Sequence, residues 1–84
     1  MHYFYVLQRI NGELYFGSTN DLRGRIFDHN AGRSFTTRGD KWKLIYYEAY
    51  ADERDTRRRE QQMKYHGQAK RWLKDRIKNS LRQR

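Results

Sequence analysis

The chain is 84 residues long, carries a formal net charge of +9, contains no cysteine and is 15% aromatic. A chain of this length folds as one domain, and the lack of cysteine excludes a disulfide framework and a thiolate zinc site. No apolar run reaches the ~18 residues of a membrane span and no signal-peptide pattern opens the sequence. We therefore expect a cytoplasmic protein that has no membrane partner.

The positive charge comes from 19 Lys and Arg against 10 Asp and Glu. Such an excess predicts a polyanionic partner, and nucleic acid is the first candidate. Basic structural proteins of ribonucleoproteins share this composition, so charge alone does not separate an enzyme from a binding protein.

Residues 2–9 and 13–18 predict the first two strands, joined by a hairpin turn. The first run alternates little between apolar and polar residues, which indicates burial on both faces of the sheet. A two-residue loop of Asn11 and Gly12 would place Tyr5 and Tyr15 on opposite faces. A three-residue loop of residues 10–12, with Gly12 left-handed, places both tyrosines on one face.

We expect the three-residue loop, because it also brings the opposite charges of Arg9 and Glu13 together. This register pairs Leu7 with Tyr15 and sets Tyr5 opposite Gly17. The other face of the hairpin then carries four apolar residues: Phe4, Val6, Leu14 and Phe16.

Residues 21–31 predict the first helix, which Gly32 ends. Leu22, Ile26 and His29 share one arc that should turn inward, and Arg25 borders this arc. A lone arginine in such a place commonly lays its stem over the core edge and keeps its head in water. Residues 32–42 follow as a basic surface loop suited to phosphate contacts, and residues 43–50 predict the third strand.

Residues 53–66 predict the second helix, whose inward arc contains Thr56, Glu60, Met63 and Gly67. Glu60 is notable because the three residues before it, 57–59, are all arginine. A surface glutamate pairing with Lys64 at i, i+4 would explain it without any functional role.

Residues 69–82 predict the third helix, with an apolar stripe expected in the core: Ala69, Trp72, Leu73, Ile77 and Leu81. Three strands and three helices in this order predict an α+β fold, in which helices pack on a small, mainly antiparallel sheet. No linker, repeat or low-complexity segment interrupts the chain, so residues 1–84 are expected to form a single domain.

Three short segments in this order resemble the core of the GIY-YIG nuclease family: Tyr3-Phe4-Tyr5, Tyr15-Phe16-Gly17 and Asp21-Leu22-Arg23-Gly24-Arg25. The resemblance covers about residues 3–75 and is closest to small single-domain members related to the nuclease domain of the excision-repair protein UvrC. The first glycine of the family signature is Tyr3 here, whereas the motif tyrosine, Tyr5, is present. The segment around Glu60 is similar to the family's segment around its metal-binding glutamate.

The resemblance implies a DNA-repair type of endonuclease that hydrolyses phosphodiester bonds in DNA with a divalent metal. The implied catalytic residues are Tyr5, Tyr15, Arg25, His29 and Glu60. Glu60 with waters would suit one hard cation, Mg²⁺ or Mn²⁺, because a single carboxylate is too few for a two-metal site. Arg25 has the charged planar fork that holds a phosphate.

The general base is open between Tyr5, Tyr15 and His29. A phenol with a pKa near 10 is a poor base unless a nearby cation lowers that pKa, and Arg25 or the metal could do so. His29 could relay the proton. A zinc site built on histidines finds no support, because His2, His29 and His66 share no ligand spacing.

Contacts to nucleic acid, with DNA favoured over RNA, are expected from Ser18, Arg33, Thr37, Arg38 and Lys41. No small-molecule cofactor is expected, and the protein should be a monomer or a weak dimer. Two other hypotheses compete with the nuclease: a non-catalytic nucleic-acid-binding module with the same fold, and a structural protein of a ribonucleoprotein. The second of these has no need for Glu60 on an inward arc.

Overall fold

The central strand of the sheet, β1 (His2–Arg9), is buried on both faces from Phe4 to Gln8, as its composition predicts. The computed structural model describes residues 1–31 and 41–81. Strands β2 (Leu14–Thr19) and β3 (Trp42–Tyr50) flank β1, and both pairings are antiparallel. The helices are α1 (Leu22–Asn30), α2 (Glu53–Tyr65) and α3 (Gly67–Arg76). The predicted α+β fold with a three-stranded antiparallel sheet is therefore confirmed.

The two faces of β1 belong to two separate apolar clusters. Phe4 and Val6 pack in a cluster with residues of α2 and α3, including Met63 and Leu73. Tyr5 and Leu7 pack on the opposite face with Trp42, and Leu22 and Ile26 of α1 cover them. The sheet is thus a middle layer between α1 on one side and the α2–α3 pair on the other.

The hairpin between β1 and β2 has the predicted three-residue loop. Leu7 pairs with Tyr15 and Tyr5 pairs with Gly17. Gly12 has a φ of 95°, and its N–H donates to the Arg9 carbonyl oxygen at 2.9 Å. The Arg9 guanidinium meets the Glu13 carboxylate at 2.5 Å, as the charge match suggested. Phe4 and Phe16 stack on the other face, with ring centroids 6.2 Å apart.

Carboxylates before α1 and α2 fix where these helices begin. The Asp21 carboxylate accepts from the Gly24 N–H at 3.1 Å, and the Asp52 carboxylate accepts from the Arg54 N–H at 2.8 Å. A bond of this kind satisfies one of the donors that the first helical turn leaves free. Both helices end one residue earlier than predicted, α1 at Asn30 and α2 at Tyr65.

A buried polar contact fixes α2 against β3. The Arg59 guanidinium donates to both carboxylate oxygens of Glu48, at 3.0 and 3.2 Å from Nε. The hydroxyls of Tyr46 and Tyr50 also donate to Glu48. Because Arg59 directly precedes Glu60, this contact sets the rotation of the helix that presents Glu60.

The third helix differs most from its prediction. It spans Gly67–Arg76 rather than 69–82, and turns follow it; residues 82–84 lie outside the described part of the chain. Trp72 is 66% exposed, so its predicted place in the core is wrong. Leu73 and Ile77, four residues apart, are buried on one side of the helix. Trp72 is exposed because it points about 100° around the helix axis from Leu73.

The predicted position of Gly67 was also wrong. It is exposed and begins α3 rather than facing the core from α2. A Cβ added at Gly67 would meet no atom within 4 Å.

In the residues that the structure describes, no helix is long and apolar enough to cross a membrane.

Two glycines should respond oppositely to replacement by alanine. Gly12→Ala should lower the free energy of unfolding by about 1–2 kcal/mol, because the left-handed conformation penalises a Cβ. Gly67→Ala should leave it unchanged or raise it by up to about 1 kcal/mol, since the helical backbone accepts a methyl group. Urea titrations of both variants measure this, and a Gly12→Ala protein as stable as the wild type would contradict the bulged loop.

Candidate active site

Three aromatic side chains from β1, β2 and α1 meet on one side of the hairpin. The ring centroid of Tyr5 lies 6.3 Å from that of Tyr15 and 5.9 Å from that of His29. The centroids of Tyr15 and His29 are 4.9 Å apart in an edge-to-face arrangement. The predicted group of two tyrosines and one histidine is therefore assembled by the pairing of β1 with β2 and by the packing of α1 on them.

A buried hydrogen bond joins two members of this group. The Tyr5 hydroxyl lies 3.0 Å from Nε2 of His29. Tyr5 is 2% exposed and His29 is 1% exposed, so water competes little for this bond. The bond is compatible with donation by the hydroxyl to the imidazole or the reverse, depending on the tautomer of His29.

Burial dominates the acid–base properties of both groups. It raises the pKa of the Tyr5 hydroxyl far above its usual value; Tyr15 and Glu60 add to the increase, and Arg25 opposes it. Arg25 thus acts in the direction expected from the sequence, but it does not outweigh burial. Burial also lowers the pKa of His29 below 6.5, with a further contribution from Arg25. At neutral pH the pair consists of a protonated phenol and a neutral imidazole.

Gly17 leaves the space that the tyrosines occupy. A Cβ at this position would lie 2.5 Å from the Tyr5 hydroxyl oxygen and 3.1 Å from Cε1 of Tyr15. Real Cβ atoms do not approach other atoms that closely, so any larger residue at position 17 would displace the Tyr5 ring. The glycine of the second motif is therefore required by close approach to Tyr5.

The Glu60 carboxylate is held from both sides. The Ser18 hydroxyl donates to Oε1 at 2.7 Å, and the Lys64 ammonium contacts Oε2 at 2.6 Å. The side chain of Glu60 is only 20% exposed, which agrees with its predicted place near the inward arc between Thr56 and Met63. The ion pair with Lys64, which the sequence offered as a purely structural explanation of Glu60, is also present. Glu60 therefore makes this pair and also lies near the inward arc.

Arg25 and Glu60 border two adjoining hollows. The first has a volume of about 320 Å³ and is lined by Asn20, Arg25 and Thr56 among others. The second, of about 240 Å³, is lined by Glu60, Gln61, Lys64 and Tyr65. Ser18 and Arg57 line both of them, so the hollows are neighbours, and we call the two together the groove.

Arg57 was missed by the sequence reasoning because it is one of three consecutive arginines. Helical spacing could have predicted its position. Residues 60 and 61 lie three and four positions after Arg57, and residue 64 lies one further turn along, so all four share one side of the helix. The structure places this side of α2 along the groove.

The predicted nucleic-acid contacts are distributed unevenly. Ser18 lies in the groove and donates to Glu60. Lys41 is exposed beside the first residue of β3. Arg33, Thr37 and Arg38 lie outside the described residues, so their contacts stay a prediction.

The donor set suits one hard cation. Within residues 1–31 and 41–81, no group of three or more His, Cys, Asp or Glu side chains converges, so the protein would supply few of the ligands. The Glu60 carboxylate with the Ser18 hydroxyl beside it offers oxygen ligands, which Mg²⁺ and Mn²⁺ prefer, and water would complete the coordination. The Lys64 ammonium contacts Oε2 of the same carboxylate.

Comparisons with known proteins identify the family of this domain. The model of the GIY-YIG catalytic domain matches residues 1–79. A UPF0213 protein of Bacillus pumilus is 40% identical over 65 residues, which is 75% of this chain and 66% of that protein. One from Clostridium perfringens is 36% identical over 66 residues, 76% of this chain and 71% of that protein.

A solved structure is also similar to this fold. The solution NMR structure of a UPF0213 protein from Bacillus halodurans matches with a TM-score of 0.57 and 26% identity, covering 90% of this chain and 85% of that one. The matched segments span 66% and 63% of the Bacillus pumilus and Lacticaseibacillus paracasei relatives, slightly less than two thirds of each. Motifs, fold and comparisons agree, and the chain belongs to the GIY-YIG catalytic domain family.

Proposed function

We propose that this protein is a divalent-metal-dependent endonuclease that hydrolyses phosphodiester bonds in nucleic acid, with DNA favoured over RNA. One observation carries the proposal. Glu60, preceded by three arginines, turns its carboxylate to Ser18 at the wall of the groove that Arg25 also lines. A protein that used α2 only as a cationic surface would not need a carboxylate turned toward Ser18. The family supports a catalytic domain acting on nucleic acid.

Binding of the phosphate is assigned to the arginines of the groove. Arg25 comes from α1 and Arg57 comes from α2, so cations stand on both sides of the groove. A guanidinium stays charged at all physiological pH values and can donate two parallel hydrogen bonds to phosphate oxygens. In this proposal Arg25 holds the scissile phosphate and stabilises the charge that develops on it during attack.

Transfer of the water proton is assigned to the Tyr5–His29 pair. A neutral phenol alone is a poor base, whereas a neutral imidazole accepts a proton readily. The Tyr5 oxygen accepts the proton of the attacking water while its own hydroxyl proton passes to Nε2 of His29, along the 3.0 Å hydrogen bond. No phenolate forms, which agrees with the raised pKa of Tyr5. Tyr15, packed against both rings, positions the pair.

Glu60 would hold one Mg²⁺ or Mn²⁺ ion. When bound, such an ion supplies positive charge against the phosphate oxygens and the leaving alkoxide. Lys64 would have to release Oε2 of Glu60 for that oxygen to become a ligand, whereas the Ser18 hydroxyl can stay on Oε1.

A non-catalytic nucleic-acid-binding module is the second candidate. The ion pair at 2.6 Å between Lys64 and Glu60 favours it, because the pair satisfies the carboxylate without any metal. Such a module would keep the positive groove and would not need Glu60 for binding. The two functions therefore differ in what replacement of Glu60 does. A role in DNA repair and a monomeric or weakly dimeric state stay predictions.

Glu60→Gln should lower metal-dependent nicking of plasmid DNA by at least ~10²-fold, the scale of losing one preorganised electrostatic group. The amide keeps the shape of the side chain but removes the charge that holds the cation. The melting temperature should change little, because a partly exposed ion pair contributes about 0.3–0.5 kcal/mol. DNA affinity should be retained, since a negative charge near the phosphates is lost.

Glu13→Gln is the matched control, because Glu13 also pairs with a cation at i, i+4 but lies in the hairpin away from the groove. It should nick DNA at the wild-type rate. A folded Glu60→Gln protein that is as active as this control would falsify the assignment of Glu60 as the metal ligand, whereas a wild-type protein that shows no metal-dependent nicking would leave the binding module as the function.

The acid limb of the cleavage rate should lie below pH 6.5, because the pKa of His29 is lowered and its neutral form must accept the proton. His29→Gln should remove this limb along with most of the activity. Tyr5→Phe should reduce the rate to a similar level, and the double variant should be no slower, since the pair acts as one unit. A limb that persists in His29→Gln would contradict the assignment.

Stability should report the same lowered pKa independently of cleavage. Below pH 6.5 the unfolded chain binds a proton at His29 that the folded chain resists, so the free energy of unfolding should fall as the pH decreases. Urea titrations at about pH 7 and about pH 5 measure this change. The fall should be smaller in a folded His29→Gln variant, and an identical fall would exclude His29 as its source.

Binding to DNA should weaken steeply with salt and depend little on sequence, because phosphate contacts release counterions. Arg57→Ala should reduce the slope of log affinity against log salt by about 1. Arg54→Ala is the control, because Arg54 lies on the same helix and pairs with Asp52 much as Arg57 pairs with Glu53, but it does not line the groove. Equal slopes for the two variants would place the bound strand elsewhere on the protein.

A further inference from the structure

Tyr65 places an aromatic ring beside the Glu60 carboxylate without packing it into the core. It is the last residue of α2 and is 77% exposed. Across the described part of the chain, no hydrogen bond or ring contact holds its side chain. It nevertheless lines the same 240 Å³ hollow as Glu60 and Lys64. Stability does not account for a large apolar ring in this position.

Three other aromatic side chains are exposed in the described residues. Phe27 on α1 is 60% exposed and lines a different hollow, beside Arg23 and Arg25. Tyr47 is 51% exposed, but its ring rests edge-on against Tyr3 with centroids 6.0 Å apart. Trp72 is 66% exposed on α3 and lines neither hollow of the groove. Among the exposed aromatics of the described residues, Tyr65 is therefore distinguished by lining the hollow that contains Glu60.

The charges of the groove define what could lie against this ring. Arg57 and Lys64 line the same hollow as Tyr65, and Arg25 lines the adjoining one. The carboxylates of Glu53 and Glu60 pair with Arg57 and Lys64, so the three cations leave a net positive charge along the groove. A row of cations with an exposed aromatic ring is the combination that binds single-stranded nucleic acid, in which cations follow the phosphates and rings stack on bases. In an intact duplex each base face is covered by its neighbours, so only base edges are accessible.

We propose that Tyr65 stacks on an unpaired base of the strand whose phosphates follow the groove past Glu60. The substrate class is then a nucleic acid with single-stranded character next to the bond that is cut, rather than a fully paired duplex. This inference rests on the proposed function for the identity of the strand as a substrate. The stacking itself requires no cleavage and is measured by binding alone.

The test is fluorescence anisotropy in EDTA, with labelled probes of about twenty nucleotides: oligothymidine, oligouridine and a mixed-sequence duplex. Tyr65→Ala should bind at least about fivefold more weakly than the wild type to a single strand, the lower end of the effect of losing one stacked base. It should bind the duplex equally well. Tyr65→Phe should retain the wild-type affinity, because the ring is kept. A loss with oligothymidine, with oligouridine or with both shows which of the two strands the ring stacks on.

An abasic probe separates stacking from charge. An oligomer with the same number of phosphates but no bases should bind wild type and Tyr65→Ala with equal affinity. Trp72→Ala is the matched control, because it removes an equally exposed ring outside the groove. It should bind every probe like the wild type.

Three results would overturn the inference: no loss of single-strand affinity in Tyr65→Ala, an equal loss on the abasic probe, or an equal loss in Trp72→Ala. The exposure of Tyr65 means that its replacement leaves the fold intact, which a melting curve verifies. The Tyr65 inference and the nuclease proposal are tested by different measurements. Variants of Tyr65 are compared by binding in EDTA, whereas Glu60→Gln is scored by nicking of DNA in the presence of metal.

Discussion

The pairing of Tyr5 with Gly17 is the constraint on which the site depends. The Tyr5 ring lies so close to Gly17 that a single added methyl group would contact its hydroxyl at 2.5 Å. Register matters as much as space, because a slip of one residue between β1 and β2 would turn every side chain of one strand to the opposite face. Tyr5 would then lose both Tyr15 and its hydrogen bond to His29. The left-handed Gly12 in the loop excludes that slip.

The alternation of side chains along β2 explains how a site can draw on both faces of a thin sheet. Tyr15 and Gly17 face α1, whereas Phe16 packs in the α2–α3 cluster. Ser18 follows the same alternation and therefore reaches Glu60 on α2. Because β2 is an edge strand, residues from its two faces can meet around that edge. The electrostatic effect of Glu60 on the pKa of Tyr5 is consistent with this arrangement.

Much of the fold could be predicted from the sequence because it depends on local rules. Strand parity and the match of Arg9 with Glu13 gave the correct hairpin register, and helical periodicity placed Glu60 near the inward side of α2. The prediction that Trp72 lies in the core was wrong, because helical periodicity identifies an apolar stripe but does not show how much of that stripe the neighbouring elements cover. The high pKa of Tyr5 could not be foreseen, because burial depends on tertiary packing. The position of Arg57 beside the groove was not predicted, because nothing in the run of three arginines singled it out.

The central claim is that the Glu60 carboxylate holds one metal ion. Crystals of the protein soaked in Mn²⁺ and measured at the manganese absorption edge test it most directly, because anomalous scattering locates the ion without reference to activity. The account predicts one peak at the Glu60 carboxylate, with Lys64 displaced from Oε2 and the Ser18 hydroxyl still on Oε1. An ion bound elsewhere, or a Lys64–Glu60 pair that stays intact at saturating Mn²⁺, would contradict it.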